Sequence, residues 1–332
     1  MGSRRHVFSA LLTAAVLLAS SWVPAVARGE TQSDVLRTHS GPMISAKASR
    51  SVAAAGRKVA VSGALSEAGR RPVMVETEVA GEWRTLAAGN TRANGRYRLK
   101  LPTTWYGRHT LRVRAPASGA SPEGTSHTWS MRVKPAYKPV GNRSDYDLPY
   151  QHYRWNPCQP IEWRFHKGRG FSGSLKVIRR ALTEISRGTG LTFTYAGTTS
   201  KVPVRDDTSG VADLVIGWAT AKQVSQLAGD TAGYGGASGS GPDQAHLEIN
   251  HGVVALDQTE SLAPTYAESG RVAWGQVMVH ELGHAIGLNH ANSPDQLMYA
   301  TATTSNARLG RGDLRGMELV GLAQGCWDQG AR

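Results

Sequence analysis

The stretch His280-Glu281-Leu282-Gly283-His284-Ala285-Ile286-Gly287-Leu288-Asn289-His290 decides how this sequence reads. His280 and His284 are four residues apart, so on a helix they share one face, one turn apart. Two imidazoles placed this way fit two corners of a tetrahedral zinc site, and Glu281 beside them reaches an attacking water. Gly287 comes one turn after His284, and glycine accepts the left-handed conformation that ends a helix. The chain then turns back and delivers His290 as a third ligand. Three protein ligands leave the fourth position open, the layout of a catalytic zinc rather than a structural one.

Two stretches downstream extend the pattern. Leu297-Met298-Tyr299 begins seven residues after His290, and Arg308 to Gly321 follows it. With these in place the segment resembles a metzincin zinc endopeptidase, closest to the matrixin (peptidase M10-like) branch of the secreted actinobacterial type. His280–His290 is similar to that branch's zinc helix, Leu297–Tyr299 to its Met-turn, and Arg308–Gly321 to its closing helix. One position departs: Ala291 stands where matrixins usually have Ser. The resemblance implies an α+β catalytic domain, a twisted mixed sheet packed on an active-site helix and a C-terminal helix. It implies one catalytic Zn2+ on His280, His284 and His290, with Glu281 as general base and acid in peptide hydrolysis. Met298 would be an apolar floor under the metal, and Tyr299 with the residues after it a wall of the substrate cleft. Nothing in the residues speaks for or against calcium.

Outward from this site, the second half reads as strand, helix, strand, strand. Ile161–His166 alternates as a first strand. Residues 172–188 make an amphipathic helix with Leu175, Ile178, Leu182 and Ile185 on one stripe, stopped by Gly188 or Gly190. Leu191–Tyr195 and the more apolar Ala212–Trp218 follow as strands, the latter central. Residues 230–242 are rich in glycine, but no Lys-Ser/Thr and no helix follow, so a phosphate loop is rejected and a flexible surface loop expected. Ala245–Asn250 reads as a strand, and Gly252–Leu256 as another after it. By resemblance the first borders the cleft, which brings His246 and Glu248 to the substrate. A second metal on His246, Glu248 and His251 is disfavoured, because the family's structural-zinc pattern is absent. The active-site helix is expected over residues 271–286, with Gly283 between the ligands allowing close packing.

The first half has a different character. Period-two runs at residues 58–63, 72–79, 82–86, 96–101, 109–114 and 127–133 argue a β-sandwich, similar to immunoglobulin-like modules attached to secreted bacterial enzymes. Asn94-Gly95 is a hairpin signal. His109 and His127 read as surface strand residues. The organisation expected is a signal peptide over 1–27, a sandwich over 40–134, a linker over 135–150 broken by Pro135, Pro139 and Pro149, and a catalytic domain over 151–332. The leader rests on Arg4 and Arg5, an apolar run to Val23 and Ala25-Val26-Ala27, and implies a secreted protein with no transmembrane segment once cleaved.

Cysteine and charge complete the reading. Cys158 and Cys326 are the only two cysteines, and in an exported chain they point to a disulfide. A free thiol, or Cys158 masking the zinc, are the alternatives. The chain carries 22 Lys/Arg against 9 Asp/Glu before Gln151, and 16 against 16 after it, so the whole excess of 13 precedes the catalytic half. A basic module beside a neutral enzyme fits attraction to an anionic cell-surface polymer, or plain solubility. The function expected is a monomeric, secreted, zinc-dependent endopeptidase acting on protein or peptide. The alternatives are a zinc hydrolase of a cell-wall amide, and a surface-binding protein whose zinc domain is not catalytic.

Overall fold

The computed structural model describes residues 41–243 and 246–327, so the expected leader over 1–27 lies outside the described residues. The first half forms nine strands: β1 (Ile44–Ala48), β2 (Val52–Ala54), β3 (Val59–Leu65), β4 (Pro72–Val79), β5 (Glu82–Asn90), β6 (Arg96–Leu101), β7 (Gly107–Ala115), β8 (Gly124–Thr125) and β9 (Trp129–Lys134). They build two sheets, β1-β3-β6 and β2-β9-β7-β4-β5, with β8 beside β7. Inward residues of both sheets, Val61, Leu99 and Leu101 from one and Val75, Leu111 and Val113 from the other, share one core. Alternation places them there: Tyr97, Leu99 and Leu101 point in, while Arg96, Arg98 and Lys100 point out.

Two expectations fail here. Ala80 and Gly81, both at positive φ (49° and 84°), make the tight hairpin between β4 and β5. Asn94-Gly95 makes no hairpin, because β5 and β6 join different sheets and the turn carries the chain across the core. His109 is not a surface residue. It is 5% exposed, its Nε2 lies 3.2 Å from the Trp105 carbonyl and its ring stands edge-on to Trp105.

The second half contains β10 (Ile161–His166), α1 (Ser174–Thr189), β11 (Phe193–Thr198), the short α2 (Arg205–Thr208), β12 (Leu214–Ala219), β13 (Gly233–Ser240), β14 (Glu248–Asp257), α3 (Trp274–Ala285) and α4 (Arg311–Val320). Its sheet runs β11-β10-β12-β14-β13, parallel except for β13, so this half is α+β with a mixed sheet. β12 is buried on both faces, as an apolar run in the middle of a sheet requires. Leu214, Ile216 and Trp218 face the main core with α1 and α3, and Ala219 joins Val224 and Leu227 on the other side. Gly190, at φ 77°, stops α1 as expected.

The glycine-rich stretch is a strand rather than a loop. β13 pairs antiparallel with β14 along its whole length, and the expected two strands at 245–250 and 252–256 are one, β14. β14 is therefore internal, and β13 is the edge strand. A side chain on Gly235 would meet the Glu281 carbonyl 2.0 Å away, so β13 approaches α3 closer than any residue but glycine permits.

No regular element forms between Pro135 and Tyr150, as the prolines predict, yet this segment is docked. Tyr137 donates to the Leu309 carbonyl (3.0 Å), Arg311 N–H to that of Val140 (2.8 Å), and Asn289 Nδ2 to Asp147 (2.9 Å). The sandwich also touches the second half directly, through Tyr106 on Glu184 (3.1 Å) and Arg84 on the Cys326 sulfur. The described residues thus form one compact unit. Cys158 and Cys326 are disulfide-bonded with Cα atoms 5.4 Å apart, so neither a free thiol nor a cysteine on the zinc site occurs. No helix among the described residues is long and apolar enough to cross a membrane.

Candidate metal centre

α3 presents His280 and His284 one turn apart and ends in a glycine-dependent turn. Gly287 sits at φ 102°, its N–H bonds to the His284 carbonyl (3.1 Å), and Leu288 N–H reaches back to the Gly283 carbonyl (2.9 Å). That pair of bonds closes a helix around a left-handed residue and reverses the chain. Asn289 is then pinned through its backbone and side chain to Asp147, which fixes the entry to His290. The three imidazoles converge: their ligand atoms lie within 4.8 Å of one another, and they are the one His/Cys/Asp/Glu group with metal-ligand geometry among the described residues.

Proton bookkeeping tests whether a cation fits. His280 Nδ1 faces the Leu297 carbonyl at 2.8 Å and His284 Nδ1 the Leu288 carbonyl at 2.9 Å. A carbonyl only accepts, so each Nδ1 carries the proton and each Nε2 of the neutral ring is a lone pair. The two Nε2 atoms are 3.2 Å apart. Two facing lone pairs repel unless a cation stands between them. Ligands on a tetrahedral zinc at about 2.0–2.1 Å would be separated by about 3.3–3.4 Å. The donor set and its spacing therefore fit zinc. Burial keeps the rings neutral, pushing His280 down to about 3 and His284 to about 4; His284 and His290 add to the effect on His280, and His290 to that on His284. The more exposed His290 is also lowered by burial.

Glu281 is 7% exposed and lies against β13. Burial pushes its carboxyl up to about 8, and a hydrogen bond from the Gly235 amide pulls the other way. Met298 is 2% exposed, and its sulfur lies where a Cβ on Gly283 would be, 2.3 Å away, which gives Gly283 its packing role.

Sequence reasoning missed the groups that hold this arrangement. Asp313 of α4 accepts from the backbone N–H groups of Leu297 (2.6 Å), Met298 (3.1 Å) and Gly310 (2.7 Å). Gln296 Oε1 accepts in turn from Gly312 (2.8 Å) and Asp313 (3.2 Å). The Met298 loop is thereby clasped to the start of α4, and its Leu297 carbonyl orients His280. A buried Asp in a closing helix was the available signal, whereas the carbonyls of Leu288 and Leu297 leave none.

The remaining expected residues are placed apart. His246 is exposed, pairs with Asp243 at 2.8 Å and stacks on His152, and it precedes the internal strand β14 rather than lying on the edge strand. Glu248 opens β14 opposite Ser240, at the far end of β13 from Gly233 and Glu281. Tyr299 is half-buried in the loop after Met298, its N–H bonded to Gln296. His251 is a buried histidine, bonded to Thr208 (2.9 Å) and to the Ala212 carbonyl (3.2 Å).

A family profile described as Matrixin matches residues 155–320, which spans β10 through α4. No curated protein matches the chain. Among solved structures, one from work on T cell specificity and activation by the bacterial superantigen toxic shock syndrome toxin-1 aligns over 27% of this chain and 99% of its own, at 7% identity and TM-score 0.22. A C-terminal fragment of intimin, in complex with the intimin-binding domain of its translocated receptor, aligns over 37% of this chain and 43% of its own, at 12% identity and TM-score 0.22. At that level of superposition neither likeness bears on the fold.

Proposed function

Because this chain belongs to the matrixin family of zinc-dependent peptidases, we propose that it is an endopeptidase whose zinc ligands are His280, His284 and His290 and whose general base and acid is Glu281. The observation that carries the reading is the convergence of three imidazoles whose outer nitrogens are already committed to backbone carbonyls. Bound zinc lowers the pKa of a coordinated water toward about 7 and polarises the substrate carbonyl. Glu281 takes the proton of the attacking water and returns it to the leaving amine. Burial raises the Glu281 carboxyl above its ordinary range, which favours its holding the proton between the two steps. Met298 packs under the ligand helix and the loop from Tyr299 walls the cleft. β13 leaves one edge unpaired beside Glu281, which suits an extended peptide adding as a further strand.

Further parts of the proposal rest on sequence. The leader over 1–27 and the disulfide fit a secreted, monomeric protein of the actinobacterial type, with an immunoglobulin-like module over 40–134 ahead of the catalytic domain. The basic module suits an anionic cell-surface polymer. Hydrolysis of a protein such as casein, with metal content followed before and after chelation, tests the assignment. Activity that tracks about one zinc per chain supports it. Stoichiometric zinc with no peptide hydrolysis, but hydrolysis of a cell-wall amide, would move the substrate class.

A further inference from the structure

The sandwich meets α4 across an open groove of about 1100 Å³. The sandwich wall supplies Arg57, Arg108, Arg132 and Lys134. The opposite wall supplies Lys138 and Arg143 from the connecting segment and Arg311 and Arg315 from α4. Against these eight cations the lining offers one carboxylate, Glu318, which pairs with Arg143 (2.7 Å) and Arg315 (2.9 Å).

The placement within each wall is costly to the fold. Arg108 and Arg132 are directly opposite in the β7–β9 ladder, and like charges so placed repel. Arg311 and Arg315 repeat the arrangement at i,i+4 on α4. Further along the same outward face of β7 lies the contrast: Arg112 and Arg114 share Glu76 at 2.9 and 2.8 Å. Repulsion on both walls of one groove is relieved if an anion lies between them.

We propose that this groove binds a linear phosphodiester polymer carrying one negative charge per short repeat. None of the eight cations is enclosed, so no pocket closes around a single phosphate; they line two walls, as suits a chain of charges running between them. The two tyrosines of the lining are engaged within the fold. Tyr106 and Tyr137 commit their hydroxyls to Glu184 and the Leu309 carbonyl, and the Tyr137 ring lies under Arg308. A polymer without bases therefore suits the groove better than single-stranded nucleic acid, which such sites bind through stacked bases. Two of the eight cations, Arg311 and Arg315, come from the catalytic half, whose net charge is zero. None of the three histidines and not Glu281 lines the groove, and the site does not depend on the peptidase reading.

The test is binding of labelled poly(glycerol phosphate) to the full chain at low and high salt, beside oligothymidylate of equal charge and inorganic phosphate. Tight, salt-sensitive binding of poly(glycerol phosphate), with the other two at least about tenfold weaker, is expected. R108E/R132E and R311E/R315E should each weaken it by at least about tenfold, while R96E/R98E, the same charge change on the outer face of the β1-β3-β6 sheet, should change it less than about threefold. If a reversal fails to fold, Arg132→Gln replaces it. That single change should weaken binding yet raise the Tm of the free chain by about 1–3 °C, since it removes repulsion. Equal losses from all three double variants would overturn the site. Oligothymidylate binding more tightly would overturn the ligand class. A lower Tm in Arg132→Gln would overturn the repulsion argument. Peptide hydrolysis should be unchanged in every variant, which separates this result from the fate of the zinc assignment.

Discussion

Glu281 and Gly283 are neighbours in sequence with opposite tasks. In the proposed reaction Glu281 carries the proton, and its replacement by Gln should leave zinc bound while peptide hydrolysis falls by about 10²–10⁴-fold. Zinc content and turnover measured on one preparation check this, and loss of metal along with activity would remove the argument for a proton-transfer role. Gly283 makes room for the Met298 thioether. Gly283→Ala should cost about 1–3 kcal/mol in a denaturant melt, because a methyl is forced into a filled space. The shared face of His280 and His284, the turn that brings His290 to them and the close packing at Gly283 are legible from spacing, since four-residue intervals on a helix translate directly into one face. The cleft residues were not: His246 and Glu248 were assigned to an edge strand that the fold puts elsewhere.

At the scale of elements, the error over residues 230–242 has a physical cause. Glycine-rich sequence ordinarily means a turn or loop, because glycine lacks a side chain to pack in a strand. Here the missing side chain is the reason for the strand, since β13 lies against the backbone of α3. Long-range contact decided the matter, and no local pattern reports it. The same holds for Asp313, whose carboxylate serves three backbone amides of two separate segments. Asp313→Asn presents an amide N–H to at least one of those donors. We expect about 1–3 kcal/mol of destabilisation and faster zinc loss to a chelator. Unchanged zinc release in that variant would mean that the Met298 loop holds itself.

Taken as a whole molecule, the protein should fear acid. His109, His251, His280, His284 and His290 are all held below their ordinary pKa, chiefly by burial. Each binds its proton more weakly in the native state, so stability is complete above about pH 6.5 and declines as pH falls toward the native values. Fully buried imidazoles such as His109 and His251 add a slope of up to about 1.4 kcal/mol per pH unit each. Glu281 and Asp313, both raised by burial, have the opposite sign and lose stability as pH rises, Glu281 toward about 8, but they are two carboxyls against five imidazoles. The urea midpoint of the metal-free chain should therefore drop between pH 7 and pH 5, and a flat profile would contradict the burial argument. The disulfide closes a loop of 168 residues, worth roughly 5 kcal/mol in the chain-entropy model. Reducing it should lower the Tm by about 10 °C.

The clasp between Asp313 and the Met298 loop also sets a schedule. A ribosome delivers His280, Glu281 and His284 some thirty residues before the carboxylate that steadies them, and Cys326 later still. A growing chain, or one cut short by a premature stop before residue 313, thus holds the reactive motif without the frame that aims it. Competence arrives with the last stretch of the message, so an unfinished copy is inert rather than a stray protease.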